Sequence, residues 1–499
     1  MTDTRETLTA LLAVESDAPA LWAPGEDAIS YRQLAETVDG LAAHLAAFGV
    51  ESGDCVALAL PPGPELVEIL LAIGALGAAA APLNPAYSES EFAFYLEDLR
   101  PRVLLLVEGE LEAARRARRP EVGLVEVALR AGEVPGLESA DATRATGAER
   151  TIAAPDDVAL LLHTSGTTSR PKQVPLRHRN LVASARSIAA HYALTAADVS
   201  YCAMPLFHVH GLVASTFAQL AAGGTVIAPR RVGPGRFWTQ LVEHGVTWYS
   251  ASPTLHQMLL DRAPDHASTA ALRFVRSCSA ALAPELFERM EDYLGVPVLE
   301  AYGMTEASHE MAANPLPPAR RVPGSVGVPT GAEIRIVDKA GVSVPDGANG
   351  EVVIRGAGVM DGYLANDAAN AEAFHGAWFR TGDEGRFADG YLVLTGRLKE
   401  IIIRGGENIS PHEVEAALSA HPAVGEAVAY GIPDPKYGQL VGAAIVATAE
   451  TSEADVVAHC AERLAAFKVP SVIHIVEAIP KTPTGKVQRP RMAAHFGEG

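Results

Sequence analysis

The chain has 499 residues, too many for a single hydrophobic core, so at least two domains are expected. Hydrophobic residues make up 48% and charged residues 20%, a balance that excludes the disordered and fibrous classes. Asp plus Glu outnumber Lys plus Arg by 60 to 40, and the formal charge of −20 argues against nucleic acid as a partner, because most of the surface repels a phosphate backbone.

In chain order, the start MTDTRETLTALLAVESDAP lacks the basic region and continuous apolar core of a signal peptide. Tyr31–Phe48 has helical apolar spacing, and Val56–Leu60 is a short apolar run of strand type. The Ala- and Gly-rich stretch Leu66–Pro82 follows Pro61-Pro62-Gly63-Pro64-Glu65 and predicts a buried helix rather than a membrane span. Further strand-like runs at Val103–Val107, Val158–Leu162, Thr225–Ala228 and Val298–Glu300 alternate with helical patterns such as Asn180–Tyr192, a rhythm that predicts an α/β fold. Arg130–Arg150 reads as a solvated surface connection. Between about Ser325 and Leu394 brief runs broken by Gly and Asp, namely Glu333–Val337, Glu351–Arg355 and Tyr391–Leu394, predict a β-rich subdomain. Ser410-Pro411 opens a helix carried on by His412–Ala420. The boundary is expected near Lys399, with a large N-terminal domain over 1–398 and a small α+β C-terminal domain over 399–499. Cys55, Cys202, Cys278 and Cys460 are far apart with no CxxC spacing, so neither a disulfide framework nor a zinc site is expected. A cytoplasmic protein fits that pattern, and the tail His495-Phe496-Gly497-Glu498-Gly499 is no peroxisomal address.

The strongest local signal is Leu161-Leu162-His163-Thr164-Ser165-Gly166-Thr167-Thr168-Ser169-Arg170-Pro171-Lys172, an apolar strand entering a hydroxyl-rich loop closed by a lysine. Small residues let backbone N–H groups approach phosphate oxygens, Ser and Thr add neutral donors, and Lys172 adds charge. It is no Walker loop, since G-x-x-x-x-G-K-[ST] is absent, and on composition alone a polar turn between elements explains it as well.

The full string, however, resembles the phosphate-binding signature of the adenylate-forming superfamily of acyl-CoA synthetases, peptide-synthetase adenylation domains and luciferases. Further segments resemble that family in order, from about Tyr31 to Arg489. Pro205–Gly211 resembles the segment whose histidine, here His208, lies beside the acyl site. Ser277-Cys278-Ser279-Ala280-Ala281 resembles the turn along the adenine and the acyl pocket. In Glu300-Ala301-Tyr302-Gly303-Met304-Thr305-Glu306 the resemblance implies that Tyr302 faces adenine, Thr305 a phosphate oxygen and Glu306 a magnesium ion. Thr381-Gly382-Asp383 resembles the ribose clamp, joined by Arg397. Gly396-Arg397-Leu398-Lys399-Glu400 resembles the hinge with Lys399 as pivot, Arg404-Gly405-Gly406-Glu407 the loop that reaches the acyl site when the small domain turns, and Pro480–Lys486 the loop whose lysine, Lys486, drives adenylation. Taken singly, each piece has a plainer reading: Asp383 a turn residue, Lys486 a solvated charge, His208 with His210 a packed pair. A metal pair is the weakest of these, since two histidines at i and i+2 lack further zinc ligands.

The implied enzyme is an acid–CoA ligase using ATP, Mg2+ and coenzyme A in two steps through an acyl-adenylate. Within the superfamily the sequence is most similar to the oxalyl-CoA synthetases, on His163–Lys172, Pro205–Gly211, Trp248–Gln257, Arg276–Ala280, Met304–His309 and Asn314-Pro315-Leu316-Pro317. Oxalate keeps a negative carboxylate after adenylation, and Ser279, His309 and His208 are candidates to receive it. The alternatives are a synthetase for malonate or another short acid, a carrier-loading module, for which no carrier segment follows Arg489, and a nucleotide-binding relative without turnover. Gln173 departs from the family, which usually has glycine after the lysine; a positive φ there would be strained by about 1 kcal/mol or more.

Overall fold

The structure is a computed structural model that describes residues 6–12, 16–130, 132–139, 152–164, 171–265, 269, 271–405, 407–481 and 487–496. Runs rich in Ala, Val and Leu form a seven-stranded sheet in the order Gly136–Ser139, Gly123–Ala128, Val103–Val107, Cys55–Ala59, Ala79–Pro82, Val158–His163 and Gln173–Arg177. Its five inner strands are parallel and its two edge strands antiparallel. A nine-stranded sheet runs Val328–Pro329, His309–Ala313, Val298–Met304, Phe274–Ser277, Trp248–Ala251, Val199–Cys202, Thr225–Ile227, Pro19–Trp22 and Ile29–Ser30. From Val298–Met304 to Pro19–Trp22 its strands are parallel.

Helices fill the space beside these sheets for readable reasons. Tyr31–Ala47 starts at a capping box between Ser30 and Gln33 and buries Leu34, Val38, Leu41 and Leu45, the stripe its spacing dictates. Pro64–Ala75 is buried on every side, as its continuous apolar composition requires. The helix expected over Leu66–Pro82 is corrected here: it ends at Ala75, the chain turns with positive φ at Gly77, and Ala79–Pro82 is a central strand. Alanine and glycine give that stretch little periodicity, so nothing in it marks the break. Within Arg130–Arg150, Gly136–Ser139 pairs with Gly123–Ala128 as an edge strand; 131 and 140–150 lie outside the described residues.

The β-rich part is an antiparallel sheet of Glu333–Val337, Gly350–Arg355, Trp378–Ala388, Phe374–His375 and Tyr391–Arg397. Beyond it lies a smaller α+β unit. Strands Ile402–Arg404, Glu407–Ile409, Val424–Asp434, Gly438–Ala447 and Val472–Ile475 pack against helices Pro411–Ser419 and Glu453–Ala461 around a separate core that includes Ile402, Val414, Leu418, Ile445 and Val456. The Ser410 hydroxyl donates to Thr395 O, and Arg489 pairs with both Glu400 and Glu415, so the unit is tied to the end of the preceding sheet. Among the described residues no helix is long and apolar enough to cross a membrane.

Candidate active site

In an open parallel sheet, the carboxyl ends of the strands point backbone and loops into one crevice. Val199–Cys202, Trp248–Ala251, Phe274–Ser277 and Val298–Met304 are adjacent and parallel, so the segments that follow them, holding His208 and His210, Ser252, Ser279–Ala281 and Thr305–His309, share one edge. The hydroxyl-rich loop leaves the other large sheet after His163. Thr164 N–H donates to Lys172 O at 2.9 Å and Lys172 N–H donates to Thr164 Oγ1 at 3.1 Å, closing the loop at its base. Ser165, Gly166, Thr167 and Thr168 lie outside the described residues. The Lys172 ammonium sits 4.6 Å from the centroid of the Tyr363 ring, and the Tyr363 hydroxyl donates to Glu306 Oε1 at 3.0 Å. Tyr363, which the sequence reading missed, therefore joins Lys172 at the base of the loop to the buried Glu306 in the Thr305–Ala307 turn.

Gln173 is not strained. It is an ordinary strand residue opposite His163, outside the positive-φ positions, and its side chain donates to Asp98 O at 2.7 Å and Asp98 Oδ2 at 2.8 Å. His163 Nε2 meets the same carboxylate at 2.9 Å. Glutamine thus anchors the strand that follows the loop.

Asp383 and Arg397 face each other across two strands, Arg397 Nε lying 3.1 Å from Asp383 Oδ1. The Tyr302 hydroxyl donates to Asp383 Oδ2. Burial raises the Asp383 carboxyl above its ordinary value, opposed by Arg397 and the Tyr302 bond. Burial, then Asp383, hold the Tyr302 phenol well above its ordinary value. Ala301 is buried beside them. Glu300 is also buried, accepts from Gly324 N–H at 2.7 Å, and is pushed up to about 7 by burial.

At the other end of this edge lies a polar cluster. Ser279, exposed and at φ 78, bonds His210 Nδ1 at 2.9 Å; His210 Nε2 bonds Ser250 Oγ at 2.7 Å. Ala280 and Ala281 beside it are exposed. Arg276 donates to Ser250 Oγ at 3.0 Å, to Tyr192 OH at 3.1 Å and to Glu310 Oε2 at 2.8 Å, and reaches His309 Nδ1 at 3.3 Å. Burial, then Arg276 and His210, hold His309 well below its ordinary value, so it is neutral. Gly303 permits the close approach of this hairpin, since a Cβ there would lie 2.2 Å from His309 O. His208 is half-buried with its ring 4.7 Å from that of Phe207; the histidine that reaches Ser279 is His210. The sequence did carry one sign of the cluster, an arginine in the strand Phe274–Ser277, because a charge in a buried strand needs partners.

Lys399 is exposed in the turn after Arg397. Gly405 stands at the turn of the hairpin Ile402–Arg404 with Glu407–Ile409 and donates its N–H to Tyr437 O at 2.7 Å; Gly406 and Lys486 lie outside the described residues. Among the described residues no cluster of three or more His, Cys, Asp or Glu side chains is placed to hold a metal. Glu306, whose Oε1 accepts from Tyr363, is a single carboxylate of the kind that would hold a magnesium ion completed by nucleotide phosphates and water.

Residues 9–364 match the AMP-binding enzyme family, and 413–486 match the AMP-binding enzyme C-terminal domain. The chain is 45% identical to the oxalate–CoA ligase of Arabidopsis thaliana over 97% of this chain and 96% of that one. It is 39% identical to the sulfoacetate–CoA ligase of Cupriavidus necator over 98% of each. Among solved structures, ATP-bound MatB from Rhodopseudomonas palustris superposes with a TM-score of 0.90 at 28% identity, covering 100% of this chain and 99% of that one.

Proposed function

We propose that this chain, which belongs to the AMP-binding enzyme family and is an ATP-dependent acyl-CoA ligase, takes oxalate as its acid and forms oxalyl-CoA, AMP and diphosphate. The observation that carries this reading is the polar end of the site edge. Ser279 and His309, backed by His210 and Ser250, offer hydrogen bonds where a fatty or aryl acid needs an apolar tunnel. A short acid with an anionic tail is matched by such a floor, and the higher identity to an oxalate ligase than to a sulfoacetate ligase favours the more compact acid.

In the first step a carboxylate oxygen attacks the α-phosphorus in line and diphosphate leaves. No side-chain nucleophile is needed; the demand is for fixed positive charge and donors around phosphate oxygens. We assign that work to Thr164, Lys172, Thr305 and Lys486, with Ser165–Thr168 as backbone donors. Glu306 would hold a magnesium ion, which would supply charge neutralisation at the phosphates. Asp383 with Arg397 takes the ribose hydroxyls, and Tyr302, Gly303 and the Ser279–Ala281 turn form the adenine wall. Ser279 and His309, with His208 alongside, receive the distal carboxylate. In the second step the coenzyme A sulfur attacks the carbonyl carbon and AMP leaves with the bridging oxygen. Between the steps the domain over 399–499 turns about Lys399, withdrawing Lys486 and bringing up Gly405 and Gly406.

The test is diphosphate release with oxalate, malonate, sulfoacetate, acetate and a medium-chain acid. Oxalate is expected to have the highest kcat/KM by about tenfold or more, and a better malonate or sulfoacetate substrate overturns the oxalate assignment.

A further inference from the structure

Arg276 is the most completely enclosed charge at the site edge: its side chain and that of Glu310 are both 0% exposed. They join the strands Phe274–Ser277 and His309–Ala313, which are not neighbours, since Val298–Met304 lies between them. A buried ion pair is costly to assemble and seldom the cheapest way to hold strands together, so its other bonds matter.

Those bonds have a direction. A guanidinium donates and never accepts. His309 Nδ1, at 3.3 Å from Arg276 Nη2, is therefore the acceptor, and the single proton of the neutral ring sits on Nε2. Ser250 Oγ likewise accepts from Arg276 Nη1, and among the described residues the acceptor near its own hydrogen is His210 Nε2. That leaves the His210 proton on Nδ1, donated to Ser279 Oγ, and the Ser279 hydrogen turned outward to the cleft. One fixed donor thus orders two chains, one ending at Ser279 and the other at His309.

We propose that Arg276 is the positioning residue of the acid subsite, fixing through Ser250 and His210 on one side and His309 Nδ1 on the other that both Ser279 and His309 donate hydrogen bonds to the distal anionic group of the acid. The proposal rests on reading this edge as the acid subsite. Glu310 Oε2 neutralises the arginine, so the acid meets two oriented neutral donors rather than a bare cation. Two donors at fixed positions select an acid whose second anionic group is held close to the reacting carboxylate.

The decisive variants are Ser250→Ala, which cuts one chain and leaves the Arg276–Glu310 pair intact, and Arg276→Met combined with Glu310→Gln, which removes both chains without stranding a buried charge. Diphosphate release is measured with oxalate, malonate, sulfoacetate and acetate, together with the KM for ATP and the melting temperature. Ser250→Ala is expected to raise KM for the best anionic-tailed acid about tenfold, with kcat/KM for acetate and KM for ATP little changed. The double variant loses about a hundredfold with the same selectivity. A strut without a positioning role predicts equal loss for every acid, and that result, or an unchanged KM for the anionic acid, overturns the proposal. If the double variant does not fold, Ser250→Ala decides alone. Should the wild-type enzyme prefer malonate or sulfoacetate, the oxalate assignment falls while the selectivity of Ser250→Ala still reports on Arg276.

Discussion

Glu300 is an acid whose surroundings favour its neutral form, and its effect on stability has a definite sign. Burial raises it from 4.5 to about 7, so the fold favours the protonated side chain. That contribution is fully present below about pH 4.5 and is lost as pH rises through about 7. Glu300→Gln keeps an oxygen for Gly324 N–H and cannot ionise. It is expected to melt above the wild type at pH 8, with the gap closing toward pH 5; a gap that does not change with pH contradicts this account of Glu300. For Asp383, exchange to Asn removes the charge facing Arg397 and the expected ribose acceptor, and should raise KM for ATP by about 10–100-fold with little change in KM for the acid. Residues of this kind stand in strings that the sequence displays, as Ser250 does in Trp248–Gln257, whereas Tyr363 and Glu310 stand outside them. Each acts through a partner far away in the chain, Tyr363 on Glu306 and Glu310 on Arg276, and no spacing records such a meeting. At Gln173 the strain was conditional on a positive φ, a condition that the strand pairing with His163 does not impose.

The element that shapes the proposed acid end is the hairpin of Val298–Met304 and His309–Ala313, irregular between Tyr302 and Gly303. Gly303→Ala would place a methyl group against His309 O and force the two strands apart. We expect a lower melting temperature and a loss of about tenfold in kcat/KM for the acid, read by thermal unfolding and diphosphate release on the same preparation. Wild-type values in both would mean that the hairpin opens there at no cost. Most strands were legible because β-branched and leucine-rich runs between turn residues have few other solutions, as at Val103–Val107 and Glu333–Val337. Leu66–Pro82 was not, since a buried helix and a buried strand in succession both read as continuous apolar sequence.

At the scale of the molecule, the motifs are spread from Thr164 to Lys486, and their order in the chain says nothing of which of them meet. For the segments that hold His208 and His210, Ser252, Ser279–Ala281 and Thr305–His309, the parallel register of four neighbouring strands brings the carboxyl ends together. In the proposed mechanism the small domain adds a step in time. Lys486→Ala is expected to abolish adenylate formation while leaving thioester formation from pre-made acyl-adenylate near the wild-type rate; equal loss of both half-reactions contradicts the turning of the domain about Lys399. The whole account turns on one claim, that oxalate passes through its adenylate to coenzyme A. Oxalate labelled with 18O in every oxygen position, incubated with the enzyme, ATP and coenzyme A, tests it by mass spectrometry of both products. The account predicts oxalyl-CoA together with AMP carrying one labelled oxygen, transferred when the carboxylate attacked phosphorus; unlabelled AMP, or no oxalyl thioester, would contradict it.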